Sequence, residues 1–248
     1  MVRVVVVGAS SGLGRCIGRG LAERGSKVAL MARRTGMLRD AAEEAGNGAI
    51  AVGMDVTDPD SIRAATSEAV SGLGGLDGLV YCPAIGELGP IEGTDLAGWR
   101  RMFDTNVIGA SLVTAAVLPH LEESRGSAVY LSSVSASLTP PWPGLGGYAV
   151  TKAALDKLVE AWRAEHPTVN FTRLVVGDCY GGEGDYLTQF INGWDADMFG
   201  RFHQIWTERH YIAGSFIDAD DLVTAADSLL RTGSSVATHS VIVTPRPR

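Results

Sequence analysis

Basic charge is in short supply: 21 Lys and Arg against 28 Asp and Glu leave a net charge of −7 over 248 residues. No positive field remains to draw in a phosphate backbone or an anionic leaflet, so neither nucleic acid nor a membrane is expected as a partner. Cysteine is scarce as well. Cys16, Cys82 and Cys179 form no CxxC pair and are too few for a disulfide framework, which suits a reducing, cytoplasmic setting and buried small side chains. The opening MVRVVVVGAS carries no signal-type cleavage site, and no apolar run reaches the roughly 18 residues of a membrane span. His120, His166, His203, His210 and His239 have no ligand partners at metal spacing, so no metal site is expected. Repeats, low-complexity tracts and linkers are missing too, which points to one domain over residues 1–248.

What is present reads as a globular chain, 46% hydrophobic and 20% charged, with 31 glycines asking for many tight turns. Short β-branched runs alternate with longer segments of helical spacing, the pattern of a parallel sheet covered on both faces. Strands are predicted at Val2 to Val7, Lys27 to Ala32, Ala49 to Met54, Gly78 to Cys82, Ala128 to Ser132, Val169 to Val176 and Ser240 to Val243. Helices are predicted at Gly12 to Glu23, Ser61 to Leu73, Leu96 to Leu121, Tyr148 to Glu165 and Asp220 to Leu230. The fold class is therefore α/β, a Rossmann-type doubly wound sheet of about seven strands with helices on both faces.

Two stretches break the alternation. Thr139 to Gly147 holds three prolines and three glycines and must be a loop before a helix. Residues 186–216 carry eight of the 17 aromatic residues in one eighth of the chain. Within them Phe190, Trp194, Met198, Phe202 and Trp206 fall at four-residue steps, a stripe along one side of a helix. Such a stripe either lines an apolar substrate pocket as a lid or packs on the sheet or another subunit.

The first strand runs into Gly8-Ala9-Ser10-Ser11-Gly12-Leu13-Gly14. Glycines there let the backbone turn sharply and let a pyrophosphate approach the first amides of the next helix, whose dipole favours an anion. The second strand ends in Arg33-Arg34, with no acid to take the ribose hydroxyls of NAD; arginine instead suits the 2′-phosphate of NADP. NADP(H) is thus favoured over NAD(H). Asp55-Val56 closes the third strand, where the carboxylate either accepts from an adenine amino group or serves a turn near Asp58-Pro59.

Tyr148 and Lys152 in GGYAVTKAAL are spaced i, i+4 and share one helix face. A neighbouring ammonium is expected to pull a phenol below its usual value near 10 and make it usable as acid or base. With these residues the chain resembles the short-chain dehydrogenase/reductase family. Gly8, Gly12 and Gly14 match its GxxxGxG turn, Asn106 in Asn106-Val107-Ile108-Gly109 its helix asparagine, Ser133 in Leu131-Ser132-Ser133-Val134-Ser135 its serine, and Tyr148 with Lys152 its YxxxK. The similarity covers residues 2–177 well and the C-terminal quarter poorly.

The resemblance implies an oxidoreductase that interconverts a ketone and a secondary alcohol. Tyr148 would exchange a proton with the substrate oxygen, Ser133 would hydrogen-bond it, Lys152 would hold the nicotinamide ribose, and Asn106 would hold a relay water. A homodimer or homotetramer is implied as well. Family spacing would select Ser135 as the serine, whereas the motif context selects Ser133, which is preferred; Ser135 then lies near the substrate. Trp142 in the proline loop and Trp194 in the aromatic segment are the expected apolar walls. Four departures stand out. The segment Tyr81-Cys82-Pro83-Ala84 replaces NNAG, so that Ala84 stands where the cofactor passes a glycine. Val176-Gly177 replaces PG, with no threonine soon after to hold the carboxamide. Gly177 to Asp185 is glycine-rich and acidic, and the aromatic segment follows it. The alternative these departures raise is a non-catalytic, nucleotide-sensing or scaffold protein on the same fold.

Overall fold

The computed structural model describes residues 1–182, 187–212, 214–233 and 235–246. Seven strands, β1 (Arg3–Val7), β2 (Lys27–Ala32), β3 (Ile50–Gly53), β4 (Gly78–Tyr81), β5 (Ser127–Ser133), β6 (Asn170–Val176) and β7 (Ser240–Val243), form one sheet. Its order is β3-β2-β1-β4-β5-β6-β7 and every pairing is parallel, with Val5 flanked by Ala29 and Leu79. The predicted strands are all present, with ends shifted by a residue or two.

Consecutive side chains leave a strand on opposite faces, so a run such as Val4 to Val7 must meet a hydrophobic layer on each side. Val4 and Val6 pack with Ile17 and Leu21 of α1 (Gly12–Glu23), Leu38 of α2 (Thr35–Ala45) and Leu222 and Ala226 of α8 (Ala219–Leu230). Val5 and Val7 pack with Ile62 of α3 (Pro59–Leu73), Val113 of α5 (Gly109–Ser124) and Leu155 of α6 (Gly146–Glu165). Helix α2 is not among the predicted helices; its inward stripe is mostly alanine, Leu38, Ala41, Ala42 and Ala45, and gives a weak hydrophobic period.

The segment read as one helix from Leu96 to Leu121 is divided. It comprises α4 (Leu96–Phe103), a π-helical turn at Asp104–Ile108 and α5. Tyr81, buried at the end of β4, donates from its hydroxyl to the Thr105 carbonyl at 2.6 Å, a partner for backbone that the widened turn frees. The rod Leu96–Ser124 has a window of mean hydropathy 1.3 and so, by length and composition, meets the measure of a membrane span that the sequence reading placed out of reach. Its buried side, including Asn106, Ala110, Val113 and Val117, belongs to the core.

The aromatic stripe is divided too. Only Met198, Phe202 and Trp206 lie on α7 (Ala196–Glu208); Phe190 and Trp194 precede it. Gly193 at φ +84 turns the chain, and Asp195 then caps α7 by accepting from the Met198 amide at 2.7 Å, which starts the helix later than the spacing suggested.

Because β1 lies between β2 and β4, the chain reverses its direction of travel across the sheet there, and the carboxyl ends of these strands open a crevice.

Candidate active site

A cleft of about 640 Å³ occupies that crevice. Its floor is the turn after β1. Gly8 has φ +80, and a Cβ there would lie 3.0 Å from the Pro83 nitrogen; Gly12 has φ +58; a Cβ on Gly14 would overlap the Gly8 carbonyl oxygen. Only glycine permits these conformations and this close approach. Ser11 stands at the N-cap of α1 without making a side-chain cap bond, so the first amides of the helix lack that partner, and the Gly181 backbone packs close beside them. Ser10, Ser11, Gly12, Leu13 and Gly14 all line the cleft.

The serine hydroxyls are engaged elsewhere. Arg34 donates from Nη2 to Ser11 Oγ at 2.6 Å and to Ser10 Oγ at 2.8 Å, and from Nε to Ser10 Oγ at 3.2 Å. Partial burial, then the neighbouring Arg33, lowers the Arg34 pKa from its usual value. Arg33 and Arg34 both line the cleft beyond β2. Asp55 and Val56 line it beyond β3, where the Asp55 carboxylate accepts from the Thr57 amide at 2.9 Å and hydroxyl at 2.8 Å. Desolvation pushes that carboxyl up, but the Thr57 bonds and Arg33 outweigh it and hold it below its ordinary range. The helix-capping role falls to Asp58, which accepts from the Asp60 amide at 2.9 Å and the Ser61 amide at 3.3 Å. Ala84 and Gly177 line the cleft as well.

On the opposite wall Tyr148 and Lys152 project from the first turns of α6. The Tyr148 phenol is pushed up to about 12 by burial, against which a hydrogen bond with Ser133 pulls down. This corrects the expectation of a phenol lowered by Lys152: desolvation decides the sign. Lys152 is 2% exposed and donates from Nζ to the Leu131 carbonyl at 2.7 Å, 5.9 Å from the centroid of the Tyr148 ring. Burial brings the ammonium down to about 8, which Cys82 and Asp156 partly oppose. Ser133 and Ser135 stand together, Oγ to Oγ at 3.0 Å, and both line the cleft; Ser133 is the one whose hydroxyl pulls on the Tyr148 phenol.

Asn106 is placed differently from expectation. It is fully buried in the π-helical turn and does not line the cleft, where its neighbour Thr105 does. Its Oδ1 accepts from the Ile85 amide at 2.9 Å, while Nδ2 donates to the Ile85 carbonyl and to Thr151 Oγ1, both at 2.8 Å. Its side chain stitches the segment after β4 to α6 instead of facing the cleft.

Trp142 lines the cleft and packs its ring 5.2 Å from Trp206 and 5.9 Å from Tyr211. Trp194 is not among the lining residues, contrary to expectation, because its Nε1 donates to the Gly86 carbonyl at 2.9 Å and its ring sits 5.3 Å from Phe190. Phe190 is the wall in its place, edge-on to Tyr148 at 4.9 Å between ring centroids. Met198 approaches Gly89, Phe202 approaches Gly144, and Trp206 Nε1 donates to the Pro143 carbonyl at 2.7 Å. The stripe therefore packs on the loops beside the cleft, and Phe190 and Trp142 face into it.

A family model described as short chain dehydrogenase matches residues 3–178. The chain belongs to the short chain dehydrogenase family. The 11-beta-hydroxysteroid dehydrogenase 1A of Arabidopsis thaliana is 33% identical over 199 residues, 74% of this chain and 56% of that protein. A Xanthobacter autotrophicus protein named inactive 2-(S)-hydroxypropyl-CoM dehydrogenase 2 is 32% identical over 224 residues, 90% of this chain and 95% of its own length. The alcohol dehydrogenase of Thermococcus sibiricus, solved with 5-hydroxy-NADP, shares the fold at a TM-score of 0.80 and 24% identity, over 97% of this chain and 94% of that one. The chain spans about half the length of several curated relatives it matches, 53%, 56% and 51% of three of them.

The match ends where the dehydrogenase scaffold gives way to the cleft's outer wall. There the sequence reading missed Thr188, Gln189 and Asn192, which line the cleft, and gave Phe190 no separate place. It looked for a threonine soon after Gly177, yet the chain returns later: the Thr188 amide donates to the Gly181 carbonyl at 2.9 Å, and a Cβ on Gly12 would lie 3.2 Å from Thr188 Cα. Glu183, Gly184 and Asp185 of the acidic segment lie outside the described residues. Among the described residues no group of three or more His, Cys, Asp or Glu converges as a metal site.

Proposed function

We propose that this chain is an NADP(H)-dependent oxidoreductase interconverting a ketone and a secondary alcohol, on a bulky and partly apolar substrate. The observation that carries it is the convergence of Ser133, Tyr148 and Lys152 on a cleft that also holds the glycine turn and Arg34. Uncapped α1 amides beside Gly8, Gly12 and Gly14 fit a pyrophosphate, and Arg34 with the Ser10 and Ser11 hydroxyls fits a 2′-phosphate. Lys152 would hold the nicotinamide ribose. When bound, NADP(H) supplies or accepts the hydride.

The remaining chemistry falls to the chain. Tyr148 holds its proton at neutral pH, as a phenol near 10 does and as burial reinforces, so in the reductive direction it is the acid that protonates the carbonyl oxygen. Ser133 donates to the same oxygen and stabilises developing charge there. Asn106 acts as a positioning residue through Ile85 and Thr151. Trp142, Leu145, Phe190 and Phe216 exclude water and favour an apolar ring or chain on the substrate. The exposed Ile108 and Val150, on the π-helical turn and α6, support self-association.

The test is calorimetric titration with NADPH and NADH, then turnover with a panel of bulky ketones. Tyr148→Phe is expected to lower kcat by about 10²–10⁴-fold; turnover within a few-fold of wild type would remove Tyr148 as the acid. A second reading, nucleotide binding without turnover, is favoured by Pro83 packed on the Gly8 turn and by the relative named inactive. It is the outcome if NADPH binds tightly and no ketone is reduced.

A further inference from the structure

Helix α6 carries a line of ionisable side chains inward from the cleft. Lys152, Asp156 and Glu160 recur at i, i+4 and i+8, and the first two are buried, at 2% and 5% exposure. Asp156 is the unusual member. Neither carboxylate oxygen makes a hydrogen bond of ordinary geometry, and neither does the facing Ser132 hydroxyl on β5, which still lies near enough to pull the Asp156 carboxyl down. The cation against it is Arg173 of β6, whose Nη1 lies 3.6 Å from Asp156 Oδ2 but 3.2 Å from Glu160 Oε1. A buried carboxylate without good hydrogen bonds is costly unless a neighbouring cation offsets it.

Two cations act on Asp156: Arg173 at 3.6 Å, and Lys152 one helical turn back on α6, with which it makes no ion pair. Arg173 already has Glu160, whereas the polar contact of the Lys152 ammonium is the neutral Leu131 carbonyl. Lys152 is faced by Cys82 from the end of β4 and by Tyr148 and Asp156 on its own helix. Asp156 is faced by Arg173 from β6, Ser132 from β5, and Lys152 and Glu160 on its own helix. Among these groups Asp156 is the carboxylate that faces Lys152, and Cys82 is held protonated by burial.

We propose that Asp156 is a positioning residue: its buried carboxylate is the counter-charge that keeps the Lys152 ammonium protonated beneath the Tyr148 ring. This rests on the reading of Lys152 and Tyr148 as the working pair. Burial opposes charge on both groups, lowering Lys152 and raising Asp156, and their mutual attraction works against both shifts. In the absence of the carboxylate, desolvation of the ammonium is less opposed, and the pH range in which Lys152 is charged contracts from its alkaline side.

The chain contains three lysines, Lys27, Lys152 and Lys157, so a ¹³C-lysine NMR titration of the protein without cofactor resolves Lys152 directly. In Asp156→Asn its midpoint is expected to fall by at least about half a pH unit, and in Asp156→Glu to return toward wild type. Because the single variant also removes the Arg173–Asp156 ion pair, the double variant Asp156→Asn/Arg173→Met is measured as well. A Lys152 midpoint still depressed in the double variant supports the proposal. An unmoved midpoint in either folded variant, or a midpoint restored to wild type in the double, overturns it and leaves Asp156 as the partner of Arg173 alone. Turnover is read in parallel: its alkaline limb should move with the Lys152 midpoint, and Tyr148→Phe tests the acid assignment separately. Full activity in Tyr148→Phe would sink the catalytic reading while leaving the NMR result to judge the counter-charge.

Discussion

Replacing Arg34 with alanine removes the three hydrogen bonds, at 2.6, 2.8 and 3.2 Å, that tie the end of β2 to Ser10 and Ser11. If Arg34 reads the 2′-phosphate, the variant loses a charge-assisted contact of about 1.5–3 kcal/mol. The side chain is partly exposed, so solvent screening places the effect at the lower end, about 1.5–2 kcal/mol. At about 1.4 kcal/mol per factor of ten, NADPH affinity should fall by roughly 10–30-fold. NADH lacks that phosphate, and its affinity should change by less than about 3-fold, the part that reports loosening of the serine turn. Calorimetry at low ionic strength gives both constants. The NADPH penalty should also shrink toward 1 M salt, where the screening length is about 3 Å. Ser10→Ala/Ser11→Ala supplies the control, since it frees the guanidinium without removing its charge, and it should cost NADPH less than Arg34→Ala does. Equal weakening of NADH and NADPH in Arg34→Ala would refute phosphate recognition and leave Arg34 as a brace for the turn. An unchanged NADPH constant would refute both roles.

Two further measurements address the cleft's other wall. Asn106→Ala takes the partner from the half-buried Ile85 amide and carbonyl beside the cleft, so urea denaturation should show a loss of about 1–2 kcal/mol; a loss below about 0.5 kcal/mol would mean those groups find other partners. Lys152 titrates at about 8 when folded against an ordinary 10.5, so the unfolded chain binds more protons between those values and the Lys152 contribution to stability rises with pH across that window. The stability advantage of Lys152→Met over wild type should therefore narrow by about 1–2 kcal/mol from pH 8 to 9.5, whereas parallel curves would show that Lys152 stays charged when folded.

The features legible in the sequence are those with local causes. Val4 to Val7 need a layer on each side wherever the sheet lies, Gly8 and Gly12 mark a turn that other residues enter only with strain, and four-residue spacing puts Tyr148 and Lys152 on one face of any helix. Seven strands, their parallel class and the glycine turn followed from such residues, as did the presence of Ser133, Arg33 and Arg34 at the strand ends. What the tertiary structure decided has causes far away along the chain. Asn106 spends its amide on Ile85 and Thr151, 21 and 45 residues distant. Trp194 is drawn from the cleft by the Gly86 carbonyl, 108 residues away, and Phe190 takes the wall. Desolvation by the assembled walls raises Tyr148 where its neighbour in sequence promised to lower it. The meeting of Asp156 with Ser132 and Arg173 exists only once α6 lies across β5 and β6, because burial and electrostatic partners belong to the packed molecule and have no period in the sequence.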